Sequence, residues 1–212
     1  MIYEAPQPDA PVRQGDIFHD VPKPSFSMEQ ISILTEDNQA EATTWEDLRG
    51  TRQPVTAIVG ITAVTAIVIT QDCDTIRAPE ISLCEIKPFL DVVRVTSPKT
   101  DRKWTELLRT HAIQNLKWFY LPPDHRLGLS DRMAVDFQSV LRIPRTELER
   151  ARHLRIGRLN SVGDEHFREL RAEFFRRYPY NEWYPFTKAE FEAYRSDHPQ
   201  ETTIIQPYDY QK

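Results

Sequence analysis

The stretch 55-VTAIVGITAVTAIVITQDCDTIRAPEISLCEI-86 decides the fold of this 212-residue chain. Its first half is dense in valine, isoleucine and threonine, whose β-branched side chains favour strands over helices. Gly60 interrupts this run, which indicates two strands or one bent strand. A second apolar segment follows the polar sequence QDCDT. Residues 54–96 therefore predict a meander of antiparallel strands.

The composition is that of a folded chain with one core. Hydrophobic residues make up 40% and charged residues 28% of the sequence, which is ordinary for globular domains. No apolar run approaches the roughly 20 residues that a membrane-spanning helix needs. The proline-rich, acidic start lacks the basic and apolar regions of a signal peptide. We expect a cytoplasmic protein without membrane contact.

The segments outside the meander predict additional strands and helices in one domain over residues 1–212. Ser161, with Asp164 three residues later, forms a capping-box pattern that predicts the start of a helix. Within the domain we predict a barrel at 13–143 with an inserted helix at 100–114, a helical extension at 144–196, and extended termini at 1–12 and 197–212.

The order of these motifs resembles that of the PemK/MazF-like toxins. The sequence GDI at 15–17 matches the strand that opens their small barrel, and Ile69, Gln71 and Asp72 match the turn after a later strand. Pro79 with Ile81 matches the next strand start. The chain is also similar to a group of bacterial and phage proteins with a GDI start, a QDCD turn and an ending like FFRRYPY (174–180). The resemblance implies an α+β fold, a small antiparallel SH3-like β-barrel with C-terminal helical additions.

This resemblance implies two functions of different classes. Toxins of this family cleave single-stranded RNA without a metal, using an arginine on the first long loop and a serine or threonine after the turn. Glu80 occupies the serine or threonine position here, and Arg49 and Arg52 lie near the arginine position. The chain is therefore expected to be a non-catalytic regulatory or protein-binding component of a bacterial defence or toxin–antitoxin type system. The alternative is an endoribonuclease with altered catalytic residues and no cofactor, for which the candidates are Asp72, Asp74, Glu80 and Arg52.

The residues Asp72, Cys73 and Asp74 have three interpretations. In the preferred one, the aspartates accept backbone hydrogen bonds in a turn and the thiol packs as a small apolar group. In the second, the carboxylates hold magnesium together with Glu80 or Asp16. In the third, Cys73 is a nucleophile with a histidine as its base. No spacing supplies the third metal ligand or singles out a base, and no metal site is predicted.

Charge distribution suggests where partners bind. Residues 1–60 are acidic, whereas residues 141–158 contain six arginines. A protein partner is expected, with loop 36–53 as the candidate contact, and homodimer formation is compatible with the family resemblance. RNA could stack on the aromatic residues 118–120, although the low isoelectric point of about 5.7 weighs against strong nucleic-acid binding. The candidate binding residues are His19, Cys73, Arg77, Arg155 and Arg158.

Overall fold

The computed structural model describes residues 2–50, 54–89, 116–176 and 188–200. The chain divides into two compact units, Met1–Phe174 and Phe175–Lys212. Within the described residues, the first unit contains a seven-stranded antiparallel sheet in the order β1-β10-β2-β6-β7-β9-β8. Its strands are β1 (Tyr3–Glu4), β2 (Asp16–Ser25), β6 (Gly60–Val68), β7 (Glu80–Pro88), β8 (Trp118–Leu121), β9 (Met133–Pro144) and β10 (Arg155–Leu159).

A smaller sheet and several short helices accompany this main sheet. The small sheet has the order β4-β3-β5, with β3 at Ile31–Leu34, β4 at Ala40–Thr43 and β5 at Ala57–Ile58. The α-helices are α1 (Trp45–Leu48), α2 (Asp72–Thr75), α3 (Arg145–Arg150), α4 (Ser161–Phe175) and, in the second unit, α5 (Lys188–Asp197). Two 3₁₀ turns lie at His125–Leu127 and Arg152–Leu154.

At the end of β6 the main sheet is covered by apolar side chains on both faces, which explains the apolar run Ala66–Val68. Ile67 packs into one core cluster, with Phe137 of β9 and Phe167 of α4. Its neighbours Ala66 and Val68 point the opposite way, into a second cluster. Because successive strand residues face opposite sides, a strand covered on both sides contains no polar alternation.

Helix α4 covers the first cluster with an apolar stripe. The Phe167 side chain is fully buried, and its ring contacts Phe119 edge-on at a centroid distance of 5.1 Å. The helix begins at Ser161 as predicted, but Asn160 provides the cap. The Asn160 side chain accepts a hydrogen bond from the Gly163 N–H at 2.9 Å. The capping residue is therefore Asn160, one position before the predicted Ser161. Asparagine caps helices at least as well as serine.

The seven strands curl strongly into a half-barrel, so the α+β class and a barrel-like antiparallel sheet are confirmed. The middle of the chain forms two strands, β5 and β6, as its composition predicted. Residues 133–144 form one continuous strand, whose pairing with β7 shifts register opposite Cys84 and Glu85. Between the helices predicted in 144–196, β10 pairs with β2. The predicted helix at 100–114 lies outside the described residues.

Candidate functional site

The QDCDT sequence forms a one-turn helix rather than a strand end or an open turn. The backbone N–H groups of Asp74 and Thr75 both donate to the Gln71 carbonyl at 2.9 Å, and the Thr75 hydroxyl donates to the Asp72 carbonyl. On a helix, side chains two positions apart do not share a face. The carboxylates of Asp72 and Asp74 therefore do not converge on a common ligand.

The Asp72 carboxylate binds the chain segment that precedes β2. It accepts hydrogen bonds from the Arg13 guanidinium through Nε at 3.1 Å and from the Gln14 N–H at 2.8 Å. Partial burial alone would raise the pKa of Asp72, but the hydrogen bonds from Arg13 and Gln14 outweigh burial and lower it. Asp72 is thus held ionised, and its hydrogen bonds link α2 to the residues that precede β2.

Asp16 lies at the centre of a second, buried ion-pair cluster. Its side chain is fully buried, and it accepts from Arg155 Nη1 at 3.0 Å. Arg158 binds both carboxylate oxygens, through Nε at 2.5 Å and Nη2 at 3.1 Å, and the Arg13 N–H adds a bond of 2.9 Å. A buried carboxylate needs such complete compensation, because an unpaired buried charge is strongly destabilising. We call Asp16 with helix α2 the acidic corner.

The two arginines also hold the proline-rich N-terminal arm against the sheet. Arg155 Nη2 donates to the carbonyls of Gln7 and Ala10, each at 2.9 Å, and Arg158 donates to the Pro11 carbonyl at 3.1 Å. Inside the arm the Ala10 N–H donates to the Gln7 carbonyl, but prolines have no N–H to donate, so donors from outside the arm add the further hydrogen bonds. The predicted binding residues Arg155 and Arg158 therefore bind their own chain.

The remaining candidates near the corner are exposed and weakly paired. Arg77 donates to the Cys73 carbonyl at 2.9 Å and lies 3.8 Å from Asp74. Glu80, at the start of β7, lies 3.9 Å from Arg142, and both side chains are more than half exposed. Exposed pairs of this kind contribute little to stability. Arg52 lies outside the described residues.

His19 is positioned by a β-bulge on the main sheet. The pairing of β2 with β6 is irregular between Phe18 and Val21, and Asp20 inside this bulge has a φ of 54°. The His19 Nδ1 atom lies 2.8 Å from the Thr65 hydroxyl. A Cβ at Gly128 would lie 3.3 Å from His19 Nε2. His19 thus pairs with Thr65 on the adjacent strand and forms no described hydrogen bond to the acidic corner.

Helix α4 places three residues beside the corner, Asp164, Arg168 and Arg171, and the sequence analysis assigned none of them to a site. Asp164 Oδ2 pairs with Arg168 at 2.7 Å, whereas its Oδ1 is buried without a hydrogen-bond partner among the described residues. Burial, together with the charge of Asp72, raises the pKa of Asp164. Arg171 donates to the Ile69 carbonyl at the end of β6. The spacing of Asp164 and Arg168 was visible in the sequence, but it indicated only a pair within the helix.

A second buried ion-pair network lies along β7. Glu85 accepts from Lys23 and from the Ser139 hydroxyl, each at 2.7 Å, while Lys87 pairs with Asp136 at 2.9 Å. Burial opposes ionisation of Glu85, but its partners lower its pKa. In the sequence, this network is indicated by charged residues such as Glu85 and Lys87 inside an otherwise apolar strand. It joins β2, β7 and β9 and uses its charges internally.

The two thiols differ in accessibility. Cys73 is exposed and Cys84 is buried, and both are free. Burial raises the pKa of Cys84 to about 12, which leaves that thiol protonated and inert. The preferred interpretation of Cys73 as a packed apolar group is wrong, because its side chain is exposed.

Two structural features are absent from the described ranges. No group of three or more histidine, cysteine, aspartate or glutamate side chains there is arranged to hold a metal ion, so the magnesium interpretation gains no third ligand from them. In the same ranges, no helix combines the length and apolar character that crossing a bilayer requires.

Comparison with protein-family models, with curated proteins and with solved structures finds no match for this chain.

Proposed function

We propose that this protein is a non-catalytic, protein-binding component of a bacterial defence or toxin–antitoxin type system, acting in the cytoplasm. In this proposal its half-barrel is a variant of the SH3-like PemK/MazF fold, to which its GDI and QDCD motifs are similar. The protein binds a partner and carries out no chemistry at the acidic corner.

One observation carries the proposal: the buried carboxylate of Asp16 and the half-buried carboxylate of Asp72 are both paired with arginines of the chain itself. Asp16 is neutralised by Arg155 and Arg158, and Asp72 is paired with Arg13. A general base or a metal ligand must be available to a substrate or an ion. Carboxylates that already accept several charge-assisted hydrogen bonds instead stabilise the local geometry.

The position of Glu80 also supports a non-catalytic role. In the toxin family, a serine or threonine occupies the corresponding place, and Glu80 there is exposed and loosely paired with Arg142. A carboxylate at this position repels the phosphate of an RNA substrate. Loss of the hydroxyl at this position favours a protein that retains the fold and has lost the chemistry.

The segment predicted as the partner-binding loop supports the binding role. Residues 36–53 include strand β4 and helix α1, so part of this segment is a folded structure that can present a defined surface. Trp45, at the start of α1, is 43% exposed. Tryptophan is enriched at protein interfaces, and an exposed tryptophan in an ordered element suits partner binding.

The test is an RNA cleavage assay with the purified full chain. Single-stranded RNA is incubated with the protein, with and without magnesium, and no cleavage is expected in either condition. Cleavage that is abolished in Asp72→Asn or Glu80→Gln would overturn the proposal and establish the endoribonuclease alternative. Growth arrest on expression in a bacterium, compared between the wild type and the same variants, provides an independent measurement.

A further inference from the structure

The small sheet has an apolar side that faces solvent. Ser32 pairs with Ala42 and with Ile58, and Leu34 pairs with Ala40. Because paired and alternate residues share a side of the sheet, these five lie together. The opposite side contains Ile31, which is 5% exposed, and therefore faces inward. We call Ser32, Leu34, Ala40, Ala42 and Ile58 the outer face.

The outer face lacks the polar residues that water-exposed strands usually have. Antiparallel sheets with one solvated side normally alternate apolar residues inward and polar residues outward. Here only Ser32 is polar, while Leu34 is 39% and Ile58 is 53% exposed. Of twelve exposed large apolar side chains in the described ranges, eight lie between Phe26 and Ile61. On the outer face, Leu34 and Ile58 both lie next to Ser32, along β3 and across to β5, and adjoining exposed apolar side chains mark a binding surface.

The same segment is strongly acidic. Residues 26–61 contain six acidic side chains against two basic ones, Arg49 and Arg52. Arg49 already pairs with Glu46. All six acidic residues are exposed, and they are Glu29, Glu36, Asp37, Glu41, Glu46 and Asp47.

The negative charge of residues 26–61 determines which kind of molecule can bind the outer face. Nucleic acids and anionic lipid surfaces are negative and require basic patches. A second copy of the chain, related by a two-fold axis, would bring the same acidic patch against itself. A protein segment with basic residues around apolar ones complements both the apolar outer face and the negative charge of residues 26–61.

We propose that the outer face of the small sheet binds an apolar protein segment that is flanked by lysine and arginine residues. This inference rests on the proposed protein-binding function and names the chemistry of the partner. Apolar contacts with Leu34 and Ile58 provide the buried centre. The exposed carboxylates of Glu36 and Asp37, in the turn that follows Leu34, provide a charged rim that speeds association and excludes acidic proteins.

Site-specific photocrosslinking tests this inference in the full chain. A photoreactive benzoylphenylalanine replaces Ile58, or Val140 as a control, since Val140 is a similarly exposed apolar residue on β9. Each protein is irradiated in an extract of the source cells, and crosslinked peptides are sequenced. The expected result is a crosslink from position 58, and not from position 140, to a peptide that is both apolar and rich in lysine or arginine.

Charge reversal then tests the acidic rim. Replacing Glu36→Lys and Asp37→Lys together should reduce the crosslink yield about tenfold, because like charges across an interface are repulsive. Asp131→Lys, an exposed acid outside the segment, should leave the yield unchanged. If the double variant does not fold, the salt dependence of crosslinking by the protein with an otherwise wild-type sequence tests the acidic rim instead. Its crosslink yield should fall at about 1 M salt, where the screening length is about 3 Å.

The inference is overturned if position 58 yields no crosslink, or if it crosslinks a second copy, another part of the same chain, nucleic acid or a peptide without basic residues. The inference is also overturned if the crosslink yield from position 58 changes neither with charge reversal nor with salt. A protein crosslinked only from position 140 overturns this inference and leaves the binding function standing. RNA cleavage, in contrast, overturns the proposed function itself.

Discussion

The acidic corner and the small sheet use their charges in opposite ways. At the corner, the buried carboxylate of Asp16 is bound by two guanidinium groups that also hold the N-terminal arm. In the small sheet, acidic side chains such as Glu36 and Asp37 are exposed in the turn between two strands. The difference teaches that a carboxylate's neighbours in space decide whether its charge stabilises the fold or is available to a partner.

The largest expected effect is the loss of the buried ion-pair cluster. Asp16→Ala leaves Arg155 and Arg158 partly or fully buried without their carboxylate, and should lower the free energy of unfolding by about 3–5 kcal/mol. Urea denaturation measures this loss. Asp74→Ala, which removes an exposed carboxylate of the same corner, should change stability by less than about 0.5 kcal/mol. Equal effects of the two variants would show that the buried cluster has no special role.

The second prediction compares one leucine from each sheet. Leu83→Ala, in the main sheet, removes a fully buried side chain and should cost about 2–5 kcal/mol. Leu34→Ala, on the outer face of the small sheet, should cost about 1 kcal/mol or less, since much of the side chain already contacts water. Denaturant midpoints and slopes provide both values. A large cost for Leu34→Ala would place the outer face in the core and remove the proposed binding surface.

The third prediction concerns the turn that brings the corner together. Gly15 has a φ of 81°, and a Cβ there would lie 3.3 Å from both Leu159 Cβ and Asp164 Oδ1. Gly15→Ala should therefore destabilise the protein by about 1–2 kcal/mol through left-handed backbone strain. Gly50→Ala is the matched control, because nothing lies within 4 Å of its Cβ position. Thermal denaturation of the two variants should separate them clearly, and coincident curves would contradict the tight fit.

The smallest expected effect is the pH dependence due to Asp72. Its folded-state pKa is lowered by Arg13 and Gln14 despite burial, so its contribution is present above the unfolded pKa of about 3.9. The contribution is lost as the pH falls through the lowered folded-state pKa. Asp72→Asn should be slightly less stable than the wild type at pH 7, and the two should converge in strong acid.

Urea midpoints of both proteins, measured from neutral to strongly acidic pH, check this convergence. Asp74→Asn serves as the control, since Asp74 has only a distant pairing with Arg77. A stability difference between the wild type and Asp72→Asn that stays constant with pH would mean that the ion pair with Arg13 is not the cause.

Much of the strand pattern followed from local sequence. The aromatic run before Pro122 forms β8, and the segment after Pro144 forms α3, within the predicted helical extension. Proline and β-branched residues act over a few positions, so their effect is visible locally. The strand β10 was missed because its five residues, Arg155–Leu159, carry two arginines and resemble a helix surface.

The chemistry of the candidate site was less accessible. The sequence analysis named Asp72, Arg155 and Arg158, yet it assigned the arginines to an external partner. Their actual acceptors include Asp16, which lies 139 and 142 residues away in the chain. Pairings across such distances leave no periodicity to detect, and the interaction of Asp164 with the charge of Asp72 was undetectable for the same reason.

The sequence by itself determined that the valine- and isoleucine-rich middle would form strands, because β-branched residues fit the pleated surface of a sheet. Only the tertiary structure decided what the charged residues do. Whether a carboxylate is paired within the chain, as Asp16 is, or exposed beside an apolar surface, as Asp37 is, depends on which distant segments fold against it. Electrostatic interactions act through space at short range, and the spatial neighbours exist only after the sheet has formed.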